Sequence, residues 1–378
     1  MPVKDQLQLH AVQAQFGDCL LVESRAGGST RYILIDGGPS GTYTPHLRPA
    51  LAQIKTGRGL VDLMVLSHID NDHVTGLLEL VTELQASSGA PASDGALPAI
   101  ARLWHNSFAQ AVGSAEIEPA VRRALAGTAR AGIAMPVTSG VMHGVQEGDA
   151  LRAMAMALKI PMNEGFTNAH VLVGSGKPMQ LDGLEIVVVG PNTAELESLH
   201  GTWLKWLASH RQRGVAGEEV LSVAADQSVP NLSSIAMLVT QDSRSLLLTG
   251  DGRGDRILDG MKEAGVLDAK GHRHVSVLKM PHHGSARNAT RTFLDALTAD
   301  VYVISANGRY GNPDYECLVN VVESAHDAGR AIDLAMTNRT PSYAKLLKSH
   351  SPKKFGYSAR LLDPGQSVLT IDVAPAGG

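Results

Sequence analysis

His68-Ile69-Asp70-Asn71-Asp72-His73 sets two histidines and two aspartates within six positions, immediately after the largely apolar run Val61–Leu66. A short apolar run of this kind reads as a buried strand, so the ligands are expected where a strand ends and a loop opens. A strand end holds imidazoles and carboxylates rigidly and still leaves coordination positions open to water and substrate. A catalytic metal site requires that opening; a closed structural site does not. Mixed nitrogen and oxygen ligation suits zinc, manganese or iron, not a thiolate site. The bland alternative, a polar surface loop with chance histidines, leaves the apolar run unexplained.

Two further apolar runs end in similar chemistry. Ser245–Thr249 leads into Gly250-Asp251-Gly252, and Val275–Met280 leads into Pro281-His282-His283-Gly284-Ser285. Three such strand ends can converge on one edge of a sheet, with Asp251 bridging two cations ~3.5–4 Å apart.

The ordered segments Gly17-Asp18-Cys19-Leu20-Leu21-Val22, Leu34-Ile35-Asp36-Gly37-Gly38, Ser67-His68-Ile69-Asp70-Asn71-Asp72-His73-Val74-Thr75-Gly76, Leu247-Leu248-Thr249-Gly250-Asp251 and Leu278-Lys279-Met280-Pro281-His282-His283-Gly284-Ser285 resemble the metallo-β-lactamase superfamily. More narrowly, the chain is similar to the soluble hydrolase domain of the ComEC-type DNA-uptake channel and its stand-alone relatives. Asn231-Leu232-Ser233-Ser234-Ile235 and Asn307-Gly308-Arg309-Tyr310-Gly311-Asn312-Pro313 fit that branch. The resemblance implies an α/β fold, a pseudo-symmetric αββα sandwich, as a single domain over 1–378 with insertions at about 80–180 and 193–228. It assigns His68 and Asp70 to one divalent metal, Asp72 and His73 to a second, and Asp251 between them. One of His282 and His283 completes the second site, with His283 favoured.

The chain departs from the family pattern at three places. Asp70 stands where many members have histidine, which hardens the first site and favours manganese beside zinc. Gly190-Pro191-Asn192 lies about where another histidine ligand is expected and carries none. Asn312 replaces the histidine that usually precedes this proline in the ComEC branch.

Composition agrees with an enzyme of this class. A chain of 378 residues with 44% hydrophobic residues can bury a sizeable core. The N-terminus lacks a basic segment leading into an apolar one, and no apolar run approaches the ~20 residues of a membrane span, so a cytoplasmic protein without a membrane partner is expected. The two cysteines, Cys19 and Cys317, read as buried thiols. Net charge is −4, but Lys270–Arg291 holds five Lys or Arg, four His and no acid, and Arg339–Arg360 holds six Lys or Arg and no acid. Positive charge beside the metal motif would favour a phosphate-bearing substrate, nucleic acid included; a solvated face is the plain alternative.

Read coarsely, Gln6–Val12, Cys19–Ser24 and Arg31–Ile35 are opening strands, His46–Ile54 and Val74–Gln85 helices, and 86–98 an exposed loop. Leu184–Val189 opens the second half, Ile235–Thr240 and Ser245–Thr249 form a hairpin, and Arg256–Ala264 is a helix. Trp203 and Trp206 fall at helical spacing in Thr193–Arg211 and read as an insertion helix docked on the core. Asp36 reads as an acceptor that shapes the metal loop. His105 could reach the cleft.

The chemistry implied is hydrolysis by a dinuclear metal centre, zinc or manganese, that supplies hydroxide near neutral pH. A phosphodiesterase or nuclease is favoured, with Asp72 orienting the water and Lys279, Arg287 or Asn307 steadying developing charge. The alternatives are a hydrolase of a cyclic nucleotide, lactone or thioester, and a protein-binding module with a vestigial metal site. No organic cofactor is implied.

Overall fold

The structure, a computed structural model, describes residues 5–55, 59–87, 97–106, 138–197 and 233–376, with the backbone alone at 55 and 138–146. Two sheets face one another. The first runs, edge to edge, Val368–Asp372 (β16), Gln6–Val12 (β1), Leu20–Ala26 (β2), Ser29–Ile35 (β3), Leu63–Leu66 (β5) and Leu103–His105 (β7). The second runs Tyr357–Leu361 (β15), Ile332–Met336 (β14), Leu297–Ile304 (β13), Arg273–Lys279 (β12), Arg244–Leu248 (β11), Ala236–Gln241 (β10), Leu184–Gly190 (β9) and Met179–Leu181 (β8). Leu60–Val61 (β4) and Ala99–Ile100 (β6) form a separate short pair.

Alternation along the strands explains the layers. Ile33, Ile35, Leu63 and Val65 point into the core between the sheets, against Met237, Val239, Leu246, Leu248 and Val277. Their neighbours Leu34, Met64 and Leu66 point outward onto Arg48–Lys55 (α1), Asn71–Ser87 (α2) and Thr138–Ala157 (α3), through Leu51, Leu77 and Leu151. The outer face of the second sheet is covered likewise by Gly254–Glu263 (α4), Arg291–Ala296 (α5), Tyr315–Asp327 (α6), Pro341–Ser349 (α7) and Pro352–Phe355 (α8). The result is the expected αββα sandwich. Strands covered on both faces read as unbroken apolar runs, which is why those that end in candidate ligands are visible in the sequence. Each fully buried Leu or Ile contributes ~1.5–3 kcal/mol.

Two elements differ from the sequence reading. The run Val61–Leu66 is split at Asp62, whose carboxylate accepts from Tyr32 N at 3.0 Å and Arg31 Nη1 at 2.9 Å. Helix α2 begins at Asn71, inside the metal motif, because Asp70 O accepts from His73 N and Val74 N. Asp72 and His73 are therefore on a first helical turn, not in a loop. Residues 88–96 of the expected loop, and all but 193–197 of the Thr193–Arg211 helix with Trp203 and Trp206, lie outside the described residues, as do Asn231 and Leu232. No helix among the described residues is long and apolar enough to cross a membrane.

Strands β3, β5 and β7 are mutually parallel, and so are β11 to β15. Carboxyl ends of parallel strands are where α/β sheets collect ligands. The ends of β3, β5, β11, β12 and β13 carry Asp36, His68, Asp251, His283 and Ser305. Ile235 N donates to Ser67 O at 2.9 Å, joining the sheets at this edge.

Candidate metal centre

Asp251, 2% exposed, is the hub. Its carboxylate lies 3.8 Å from His68 Nε2, 3.5 Å from His73 Nε2, 3.5 Å from His283 Nε2 and 3.7 Å from His282 Nε2. Asp70 approaches His68 Nε2 at 3.5 Å, and Asp72 approaches His283 Nε2 at 3.3 Å and His73 Nε2 at 3.9 Å. All seven residues expected as ligands thus meet at one sheet edge.

The second ring nitrogens are already occupied. His73 Nδ1 donates to Asp36 Oδ2 at 2.8 Å, and Asp36 also accepts from Ser67 N and Ser67 Oγ. His283 Nδ1 donates to the carbonyl of Ser305 at 3.0 Å, with Asp18 Oδ1 at 3.3 Å. His68 Nδ1 is shared between Ser67 Oγ and Ser234 Oγ. That leaves the Nε2 atoms of His68, His73 and His283 and Oδ1 of Asp251 buried with no hydrogen-bond partner among the described residues. Buried polar atoms are rarely left so. Imidazole nitrogens anchored at Nδ1 and turned together at Nε2 fit a cation, so the donor set suits a divalent metal.

The charges agree. Burial alone would raise the Asp251 carboxyl, but the imidazoles of His283, His73 and His282 hold it well below the usual carboxylate range. Burial would lower His283, yet Asp251 and Asp18 push it up to about 10. Burial would also lower His73, and Asp251, Asp72 and Asp36 raise it well above its ordinary value. Without a cation, the acids favour protonated imidazoles; a metal would take the place of those protons.

Local backbone explains the aim of each ring. A Cβ on Gly37 would lie 2.2 Å from Leu77 N, and one on Gly76 2.0 Å from Gly37 O, so the exit of β3 and helix α2 are in direct backbone contact. Gly37 N donates to His73 O at 2.7 Å across this contact. On the other side His282 and His283 adopt left-handed backbone, φ 48° and 56°, which turns both rings back toward Asp251. His283 is buried and His282 half-buried, the latter with Nδ1 3.3 Å from Asn288 Oδ1. Asn312 Nδ2 donates to His282 O at 3.1 Å and so supports this turn.

Lys279, expected at the substrate, takes another place. Lys279 is 1% exposed; its ammonium donates to Gly250 O at 3.1 Å and pairs with Asp18 beneath the site. The apolar strand β12 carries it inward. Asn307 is half-buried, and its Oδ1 accepts from Arg309 N at 2.9 Å, which orders the following turn. His105 is buried outside this cluster: a methyl on Gly148 would lie 3.6 Å from its Nε2 and 3.0 Å from Ile69, so α3 flanks both.

Asp18 is the residue the sequence reading passed over. It forms, with His73, Asp251 and His283, a buried group whose donor atoms lie within 4.8 Å of one another. Lys279 and His283, acting against burial, hold its carboxyl below the usual range. The signal was available: an aspartate before a buried strand and a lysine ending another must find partners.

Some charges of the acid-free stretches meet partners outside them. Arg273 Nη1 donates to Val266 O, Arg291 pairs with Asp295 and Asp327, and Arg360 pairs with Asp333. Asp327 and Asp333 thus pair with Arg291 and Arg360 from outside the two stretches.

Residues 12–145 match the Metallo-beta-lactamase superfamily. The fold is that of the metallo-β-lactamases. The match takes in Asp18, Asp36 and the His68–His73 motif, while Asp251, His282 and His283 lie beyond it. Among solved structures, a candidate metal-dependent hydrolase from Parabacteroides distasonis ATCC 8503 aligns at 10% identity and TM-score 0.33, over 84% of this chain and 93% of its own. A diphosphatase from the PhnP family aligns at 10% identity and TM-score 0.38, over 98% and 99%. No curated protein matches the chain.

Proposed function

We propose that the protein is a metal-dependent hydrolase of phosphodiester bonds, with two divalent cations, zinc or manganese, held around Asp251. The observation that carries this reading is the set of three buried Nε2 atoms and one carboxylate oxygen that face one another with no hydrogen-bond partner among the described residues. His68 and Asp70 would hold one cation, Asp72, His73 and His283 the other, with Asp251 between them. Bound there, divalent cations lower the pKa of water to roughly 7 and polarise the oxygen of the bond to be cleaved.

The protein's own part is positional and protonic. Asp36 and Ser305 fix the imidazole orientations. Asp72, with a side chain 25% exposed, stands at the open side and can accept a proton from the attacking water at a carboxylate oxygen. His282, 27% exposed, is placed to pass a proton to the departing oxygen. Support for a phosphodiester comes from the carboxylate-rich ligand set, the ordered ComEC-like motifs, and exposed Arg287 just past the double histidine. A small-molecule hydrolase is the second reading, favoured by α3, which walls one flank of the metal loop at Ile69.

Elemental analysis of wild type and Asp251→Ala, with a generic phosphodiester assay in added manganese or zinc, tests the proposal. Two metal equivalents and turnover are expected in wild type. The variant should lose metal and ~10³-fold or more in kcat, the scale of removing a preorganised charge at a reacting centre. A metal-free, inactive wild type would overturn the reading in favour of a binding module. Saturation by a small diester with weak salt dependence would favour the second reading.

A further inference from the structure

Phe16, Arg309 and Tyr310 form a cluster beside the metal centre that ligation does not use. The Phe16 and Tyr310 rings meet edge to face at 5.1 Å. Arg309 Cζ lies 5.1 Å from the Phe16 centroid and 5.5 Å from that of Tyr310. Tyr310 is 68% exposed, the most exposed large hydrophobic side chain among the described residues. No protein acceptor takes the Arg309 guanidinium donors among the described residues, unlike those of Arg291 and Arg360.

Both arms of the cluster lead back to residues that touch His283. Phe16 leads through Gly17 to Asp18, whose Oδ1 is 3.3 Å from His283 Nδ1. Arg309 and Tyr310 follow Ser305, whose carbonyl accepts from that same nitrogen and whose Oγ donates to Gly17 O at 2.6 Å. Hydrogen bonds hold this support: Asn338 Nδ2 donates to Ala306 O at 3.0 Å, Asn307 Oδ1 accepts from Arg309 N, and Gly311 N donates to Gly308 O. A guanidinium held over ring faces keeps its planar fork of donors for an anion. An exposed ring held by that cation is a preformed stacking face.

We propose that this cluster is a nucleotide subsite: Arg309 takes a phosphate oxygen and Tyr310 stacks a nucleobase of the diester whose scissile phosphate lies at the metal centre. The proposal rests on the phosphodiester reading for its link to turnover, and its binding can be measured apart from turnover. A mononucleotide unit and a single-stranded nucleic acid present the same chemistry here.

The test compares wild type, Tyr310→Ala, Tyr310→Phe and Arg309→Gln. Substrates are the p-nitrophenyl ester of thymidine 5′-monophosphate and methyl p-nitrophenyl phosphate, which lacks the nucleoside. Tyr310→Ala is expected to lower the nucleoside-to-methyl ratio of kcat/KM about tenfold, the scale of one lost base stack, and Tyr310→Phe to restore it. An unchanged ratio overturns the subsite. Should wild type cleave neither ester, the phosphodiester reading fails and binding decides the subsite. Fluorescence anisotropy with a labelled oligothymidylate and competition by thymidine 5′-monophosphate should show about tenfold weaker binding in Tyr310→Ala, and a salt slope lower by about one in Arg309→Gln. Weakening for the oligomer alone identifies single-stranded nucleic acid as the source, and equal weakening for both a mononucleotide unit. No binding, or equal Kd across variants, overturns the subsite.

Discussion

His73 and His283 both aim Nε2 at Asp251 from 3.5 Å, and both rest beside a buried aspartate, but the two aspartates come from different places. Asp36 ends β3 and supports His73 on the connection that follows β5, the parallel neighbour of β3. That half of the centre is built within one sheet. Asp18 belongs to the β1–β2 connection of the first sheet and reaches across to His283 and Lys279 on the second. That half exists only where the sheets are packed together. His105 shows the contrary case of an imidazole buried without such help: burial, with Arg152 adding, pushes it down to about 4, whereas His283 rises to about 10.

The largest effect should come from breaking the cross-sheet support. Asp18→Ala leaves the Lys279 ammonium buried without its carboxylate, which is expected to cost ~3–5 kcal/mol of stability by denaturant titration. Lys279→Met in the same background should recover most of that loss, and failure to recover would mean that Asp18 acts through His283 alone.

Next in size is the unaided imidazole. Because His105 titrates near 4 in the folded protein and near 6.5 when unfolded, the unfolded chain binds the proton first. The stability from keeping it neutral is complete above pH 6.5 and drains away as pH falls toward 4, by about 3 kcal/mol. The stability difference between wild type and His105→Gln should therefore shrink over that window; a difference independent of pH would contradict it.

Within one sheet the effect should be smaller and confined to metal. Asp36→Asn is expected to weaken metal binding ~10–100-fold by competition with a chelator, with little change in melting temperature. Equal losses of metal and stability would erase the contrast between Asp36 and Asp18. The smallest effect belongs to Asn307→Ala, which loosens the Arg309 turn: KM for the nucleoside ester should rise about twofold to fivefold with kcat nearly unchanged, the worth of one neutral hydrogen bond.

The strands that end in candidate ligands were legible because both faces of each are covered, so each appears as an apolar run with polar residues at the end. Asp251 and the double histidine could be placed together for that reason. Lys279 was misjudged because a charged residue closing an apolar run looks the same whether it faces substrate or a buried partner, and Asp18 lies 261 positions away. Local charge counting likewise does not see the tertiary pairing of Arg291 with Asp327 and of Arg360 with Asp333. The helix start at Asn71 was missed because a metal motif and a helix N-terminus draw on the same residues, Asp and Asn.

The left-handed pair at His282 and His283 sets this protein's thermostability against its chemistry. Each non-glycine residue held there costs ~1 kcal/mol that glycine would not. A selection for heat resistance alone would therefore favour glycine at 282, where the ring is half-exposed and little packing is lost. Given the role proposed for His282, variants enriched that way would be sturdier and poorer catalysts, so a stabilised form should be sought with both positions held fixed.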